Sequence, residues 1–145
     1  MSLETCSEVI SFSKKLELES AQFYQEIADK FPRNKDVFIS FAAENKKNIT
    51  TIERVYYGVI TDAIEGCFAF NVDPSNYIIN YFVPDVWSKA IEQANCIEKT
   101  LIEFYIEAAE QSKSLMADIP RTFTIIAKQR DERINKLKSL VEKGS

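Results

Sequence analysis

The chain has 145 residues, 46% hydrophobic and 28% charged, with a formal net charge of −4. That length fits one domain, residues 1–145, able to bury about two thirds of its unfolded surface. A mildly acidic chain with no basic block argues against nucleic acid or an anionic membrane as the main partner, and only 3 Gly and 4 Pro favour long helices over a turn-rich β fold.

Met1 to Ser7 shows no basic stretch followed by an apolar core, so no signal peptide is expected. No apolar run approaches the roughly 18 residues of a membrane span, and a cytoplasmic location is the expectation. The first helix is expected over about residues 7–31, capped by Thr5 or Ser7 and stopped by Pro32. Its inward stripe reads Val9, Ser13, Leu16, Glu17, Ser20, Tyr24, Ile27 and Phe31, so Glu17 is the charged member of a buried face. Glu19 and Glu26 lie off that stripe.

A second helix is expected over about 35–58, with the stripe Phe38, Phe41, Ala42, Asn45, Asn48, Ile49, Ile52 and Tyr56. Two asparagines fall at its middle, while Glu44, Lys46 and Lys47 point to solvent. Residues of about 59–84 form a long connection with turn signals at Gly66, Asp73-Pro74 and Pro84. It is unusually apolar, from Cys67-Phe68-Ala69-Phe70 to Tyr77-Ile78-Ile79-Asn80-Tyr81-Phe82-Val83. Such a connection is expected to contain short helical pieces crossing the bundle or to cover a homodimer interface.

The third helix is expected over about 85–112, started by Pro84-Asp85, with the stripe Trp87, Ile91, Ala94, Glu98, Leu101, Ile102, Tyr105, Ala108 and Ala109. Glu98 is its charged intruder. After a break at Ala117-Asp118-Ile119-Pro120, the fourth helix runs over about 120–142 and turns Phe123, Ile126, Ala127, Ile134, Leu137 and Leu140 inward. Arg130 falls in the middle of that stripe and Arg133 on its edge. Two arginines at a core-facing level need partners, and Glu17, Asn45, Asn48 and Glu98 supply them.

Cys6, Cys67 and Cys96 are far apart and odd in number, with no CxxC pair, so three reduced thiols filling small gaps are expected rather than disulfides or a thiolate metal site. Histidine is absent, which removes the commonest general base and the commonest transition-metal ligand.

The chain also repeats itself. Glu17 precedes Tyr24 by the same seven residues that separate Glu98 from Tyr105. The offsets from Phe38 to Asn45 and Asn48 recur from Phe123 to Arg130 and Arg133, with Ala42 and Ala127 in matching places. Two helix hairpins joined by a long crossover make a four-helix bundle.

On these residues, "LELESAQFYQEIADKF" and "IEKTLIEFYIEAAE" resemble the first and third helices of the rubrerythrin-type, ferritin-like di-iron carboxylate family. "FISFAAENKKNITTIERVY" and "FTIIAKQRDERINKL" resemble the second and fourth. The resemblance implies an all-α, ferritin-like bundle. In that family a glutamate from each of two helices and a Glu-x-x-His pair from each of the other two hold two metals. By position, Glu17 and Glu98 match the lone glutamates, whereas Asn45/Asn48 and Arg130/Arg133 stand in the two Glu-x-x-His slots. Two ligands of six remain, and two guanidinium groups arrive where a metal pair would bring roughly four positive charges.

The expectation is therefore a non-catalytic domain whose di-metal site is replaced by a polar layer of Glu17, Asn45, Asn48, Glu98, Arg130 and Arg133. No catalytic residue, metal or cofactor is expected, and the role is association or binding of an unknown protein or small molecule. A cavity lined by Tyr24, Tyr105 and the polar layer is the place for a small molecule. The alternative is a residual iron- or manganese-dependent oxidase or peroxidase of rubrerythrin type, with Glu17 and Glu98 as its metal ligands.

Overall fold

The computed structural model describes residues 2–59, 69–114 and 118–143, and these are all-α, with no strand among them. Four long helices carry the fold: α1 (Cys6–Lys30), α2 (Lys35–Val59), α3 (Trp87–Gln111) and α4 (Asp118–Lys143). Short 3-10 turns lie at Pro32–Asn34 and Pro74–Tyr77.

Helix α1 begins where its cap dictates. Thr5 Oγ1 accepts from the Glu8 amide at 3.2 Å, and the Glu8 carboxylate accepts from the Thr5 amide at 3.0 Å, a reciprocal capping box. Pro32 cannot donate to an α-helical ladder, so the chain leaves α1 at Phe31 and turns directly into α2. Pairs α1/α2 and α3/α4 pack most extensively, and α2/α4 and α1/α3 complete the set of neighbours. Side-chain bonds fix directions: Tyr24 reaches Glu98 while Tyr105 reaches Glu17, so α1 and α3 run antiparallel. Asn48 meets Gln129 and Arg133 meets Asn45, so α2 and α4 do as well.

The core is the meeting of the four stripes. Val9, Tyr24, Ile27, Phe38, Ile52, Ile91, Leu101, Tyr105, Phe123 and Leu137 are all buried. An aromatic cluster closes one end, where Phe38 packs on Tyr24, Phe41 and Trp87, and Trp87 on Phe31.

Three expectations need correction. The start of α3 is Trp87 rather than Asp85, and Val86 at its N-cap offers no side-chain bond. Asp85 is taken instead by Lys30 of α1 at 2.7 Å, and the same ammonium holds the Val83 carbonyl at 2.7 Å. A tertiary ion pair has won over a local cap. Second, α4 starts at Asp118, which leaves Pro120 inside its first turn, where a proline's missing N–H costs nothing. Third, Cys96 is exposed and fills no gap, whereas Cys6 is buried and Cys67 lies outside the described residues.

The described part of the connection holds one short helical piece, the 3-10 helix Pro74–Tyr77, and the chain leaves it extended at Ile78. Ile78 has φ −73° and ψ 127°. From 77 to 83 the side chains alternate, with Tyr77 and Val83 buried, Ile79 and Tyr81 packed against the core, and Ile78, Asn80 and Phe82 turned out. Tyr77 donates to Glu107 of α3. Further back, Leu3 and Val72 exchange backbone bonds, and Gln111 clasps Asn71 through both its amide oxygen and its amide nitrogen. Phe70 and Val72 are thereby buried against the bundle.

Candidate functional site: a buried ionic layer

Halfway along the bundle the apolar core is interrupted at one level. Glu17 from α1, Asn45 and Asn48 from α2, Glu98 from α3, and Arg130 and Arg133 from α4 are all buried there. All but Arg133 occupy a stripe position of their own helix, so amphipathic folding alone carries them inside, and Arg133 lies on the edge of its stripe. All six residues expected from the sequence are brought into one layer.

Arg130 is fully buried and sits between the two acids. Its NH1 donates to Glu98 at 2.8 and 2.9 Å, and its NH2 donates to Glu17 at 2.6 Å and more weakly to Ser20 Oγ at 3.3 Å. Burial pulls the guanidinium pKa down, but the Glu17 and Glu98 carboxylates more than offset that and leave it raised. Arg130 therefore stays charged. Its Nε is buried with no hydrogen-bond partner.

Arg133 reaches across to α2. Its Nε and NH2 donate to Glu44 Oε1 at 2.9 and 2.7 Å, and NH2 also donates to Asn45 Oδ1 at 2.6 Å and the Phe41 carbonyl at 3.2 Å. NH1 approaches Glu98 at 3.4 Å. The guanidinium lies over the Phe41 ring, 4.9 Å from its centroid, which suits its planar, weakly hydrated cation.

The remaining lone pairs are met by neutral donors. Asn48 Nδ2 donates to Glu17 Oε1 at 2.9 Å and to Gln129 Oε1 at 2.7 Å. Asn45 Nδ2 donates to the Glu17 carbonyl at 3.1 Å and to Ser20 Oγ at 2.7 Å. Tyr24 donates to Glu98 Oε2 at 2.6 Å, and Tyr105 donates to Glu17 Oε2 at 2.8 Å. The two glutamate–tyrosine repeats thus brace each other crosswise. Burial first, and the adjoining carboxylates next, push both phenols well above their ordinary pKa, so they remain protonated donors. Both hydroxyl protons are committed to carboxylates, so neither is left to donate to a small molecule.

Sequence reasoning missed Glu44, Gln129 and the cross-bracing phenols. Glu44 was expected on a solvated face, and its side chain is indeed 37% exposed, yet Arg133 is long enough to reach it from inside. Two acids and two guanidiniums cancel within the buried layer, and Glu44 adds a partly exposed acid at its edge. Among the described residues no three Asp, Glu, Cys or His side chains come together in a metal-holding group. No family model, curated protein or solved structure matches the chain.

Proposed function

We propose that the chain is a non-catalytic, ferritin-like helical domain in which a Glu/Asn/Arg layer stands in place of a di-metal centre, and that its role is association or binding. The neighbour relations of the helices support the ferritin-like arrangement of two hairpins and a long crossover. Hairpin partners lie side by side, and α1/α3 and α2/α4 pair antiparallel, which sets α2 and α3 parallel and requires a connection running the length of the bundle.

The observation that carries the functional reading is the position of Arg130. Its guanidinium bonds to both inward carboxylates and is raised rather than lowered in pKa by them. The residues present do not fit a pair of divalent metals. Coordination would need the Glu17 and Glu98 lone pairs that Arg130, Tyr24, Tyr105 and Asn48 already occupy. It would also need a dication to sit against a permanently charged guanidinium.

The test is metal analysis of protein purified from cells supplied with iron and manganese, followed by titration of the apoprotein with Fe(II) and Mn(II). The account expects substoichiometric, easily dialysed metal that is unchanged by Glu17→Gln. One or two tightly held ions per chain, lost in Glu17→Gln and Glu98→Gln, would turn the reading to a residual oxidase or peroxidase.

A further inference from the structure

We infer that the groove between α2 and α4, over the ionic layer, binds a small zwitterion: an α-amino acid with an aliphatic side chain. This names a ligand for the binding role proposed above and rests on that reading. Metal analysis reads the layer and the titration below reads the groove, so each fails by its own experiment.

The groove has a volume of about 520 Å³, within the range of small-molecule sites. Its pattern of donors and acceptors is written by the buried layer. Glu17 Oε1 belongs to a carboxylate and can only accept, so the amide that meets it must present its nitrogen. Asn48 Nδ2 does so at 2.9 Å, and it also donates to Gln129 Oε1 at 2.7 Å. Both amides are thereby fixed end for end. Asn48 is only 6% exposed, yet its Oδ1 has no partner among the described residues and lies open rather than enclosed. Gln129 Nε2 is left in the same state. Both residues line the groove, which therefore offers an acceptor beside a donor.

Two charged groups continue the pattern. Arg133 bonds Glu44 only through Oε1, which leaves Oε2 free on a side chain that is partly exposed. Lys47, one turn along the same face of α2, is exposed, lines the groove and makes no ion pair among the described residues. The acceptors Glu44 Oε2 and Asn48 Oδ1 suit an ammonium, and the donors Lys47 Nζ and Gln129 Nε2 suit a carboxylate. Ala43, Ile125 and Ile126 supply an apolar wall, with Ile125 57% exposed. A ligand that carries both charges beside a short aliphatic chain matches all three parts. A simple anion leaves the two acceptors unmatched, and a simple amine leaves the two donors unmatched. The ligand meets the layer from outside, so the committed hydroxyls of Tyr24 and Tyr105 are not needed.

The test is titration of the whole ¹⁵N-labelled chain with L-leucine, L-valine and L-methionine, read from the side-chain amide signals of Asn48 and Gln129. Isoamylamine and 4-methylpentanoate are the comparison, since each keeps the leucine skeleton and one of its two charges. At least one amino acid should shift both amides saturably, with a Kd of about 1 mM or below. Each single-charge analogue should bind at least about fivefold more weakly. Lys47→Met changes an exposed side chain, should melt like the parent and should weaken binding at least about fivefold. Gln129→Glu keeps the acceptor for Asn48, replaces the donor by a second acceptor and should abolish binding. If it also lowers the melting temperature, Lys47→Met decides alone. Lys46→Met, in the groove between α1 and α2, should leave binding unchanged. Amide signals that move with none of the three amino acids overturn the proposal. So does an analogue that binds as tightly as leucine, which would make the groove a plain cation or anion site. Undiminished binding in Lys47→Met overturns it as well.

Discussion

Replacing Arg130 by methionine keeps much of the buried stem and removes the guanidinium. Two carboxylates, each fully enclosed, then lose the cation they share: Glu17 keeps no close cation, and Glu98 keeps only Arg133 at 3.4 Å. Four hydrogen bonds from Arg130 go with it. Breaking a buried pair by removing one partner costs about 3–5 kcal/mol, a large part of the roughly 5–15 kcal/mol that holds a domain folded. With a urea dependence of about 2 kcal/mol/M, the unfolding midpoint of R130M should fall by about 2 M. The cost lies in the stranded charges rather than in the lost contact, so neutralising them should recover most of it. The variant E17Q/E98Q/R130M should regain more than half the loss, with a coupling energy of about 1–3 kcal/mol in the cycle against E17Q/E98Q. Urea unfolding followed by circular dichroism reads all four corners. Additivity within about 0.5 kcal/mol, or a loss in R130M below about 1 kcal/mol, would refute the ionic coupling.

The crosswise phenols should behave as a matched pair: Tyr24→Phe and Tyr105→Phe each remove one hydrogen bond to a buried carboxylate and should each cost about 1.5–3 kcal/mol by the same unfolding assay. Thr5→Ala should cost about 1 kcal/mol through the lost cap of α1. The Thr5 amide, ahead of that of Glu4, holds the Glu8 carboxyl below its ordinary value; a depressed folded pKa means that its stabilisation is present above the unfolded pKa and lost as pH falls through the folded one. Glu8→Gln should therefore lower stability in the neutral region and flatten the acid limb of the stability–pH profile, the two profiles converging at low pH. Lys30→Met removes exposed ties, so global stability should drop by no more than about 1 kcal/mol, while amide exchange over 78–86 should speed up relative to the helices.

The helices and the layer were legible in the sequence for one reason. Period-3.6 stripes place a residue inside whatever its chemistry, so Glu17, Glu98, Asn45 and Arg130 had to meet wherever their helices packed. Arg133, on the edge of its stripe, came in as well because Asn45, Glu44 and the Phe41 carbonyl give its long fork several acceptors. Glu44 was not legible, because one residue along a helix turns a side chain by about 100°, and nothing in spacing says how far a neighbouring arginine will reach. The start of α3 was misread because Asp85 looks like a cap locally, and its claim by Lys30, 55 residues earlier, is a tertiary fact. The run 78–83 hid its alternation of buried and exposed side chains because both its faces are mostly apolar, leaving no polar–apolar alternation to read.

The central claim is that a guanidinium, not a metal, neutralises the two inward acids. A crystal structure of the protein soaked in Mn(II), with anomalous data, tests it most directly. The account predicts Arg130 density bridging Glu17 and Glu98 with no anomalous peak between them. A manganese peak bound by those two carboxylates, with Arg130 and Arg133 turned out to solvent, would contradict it.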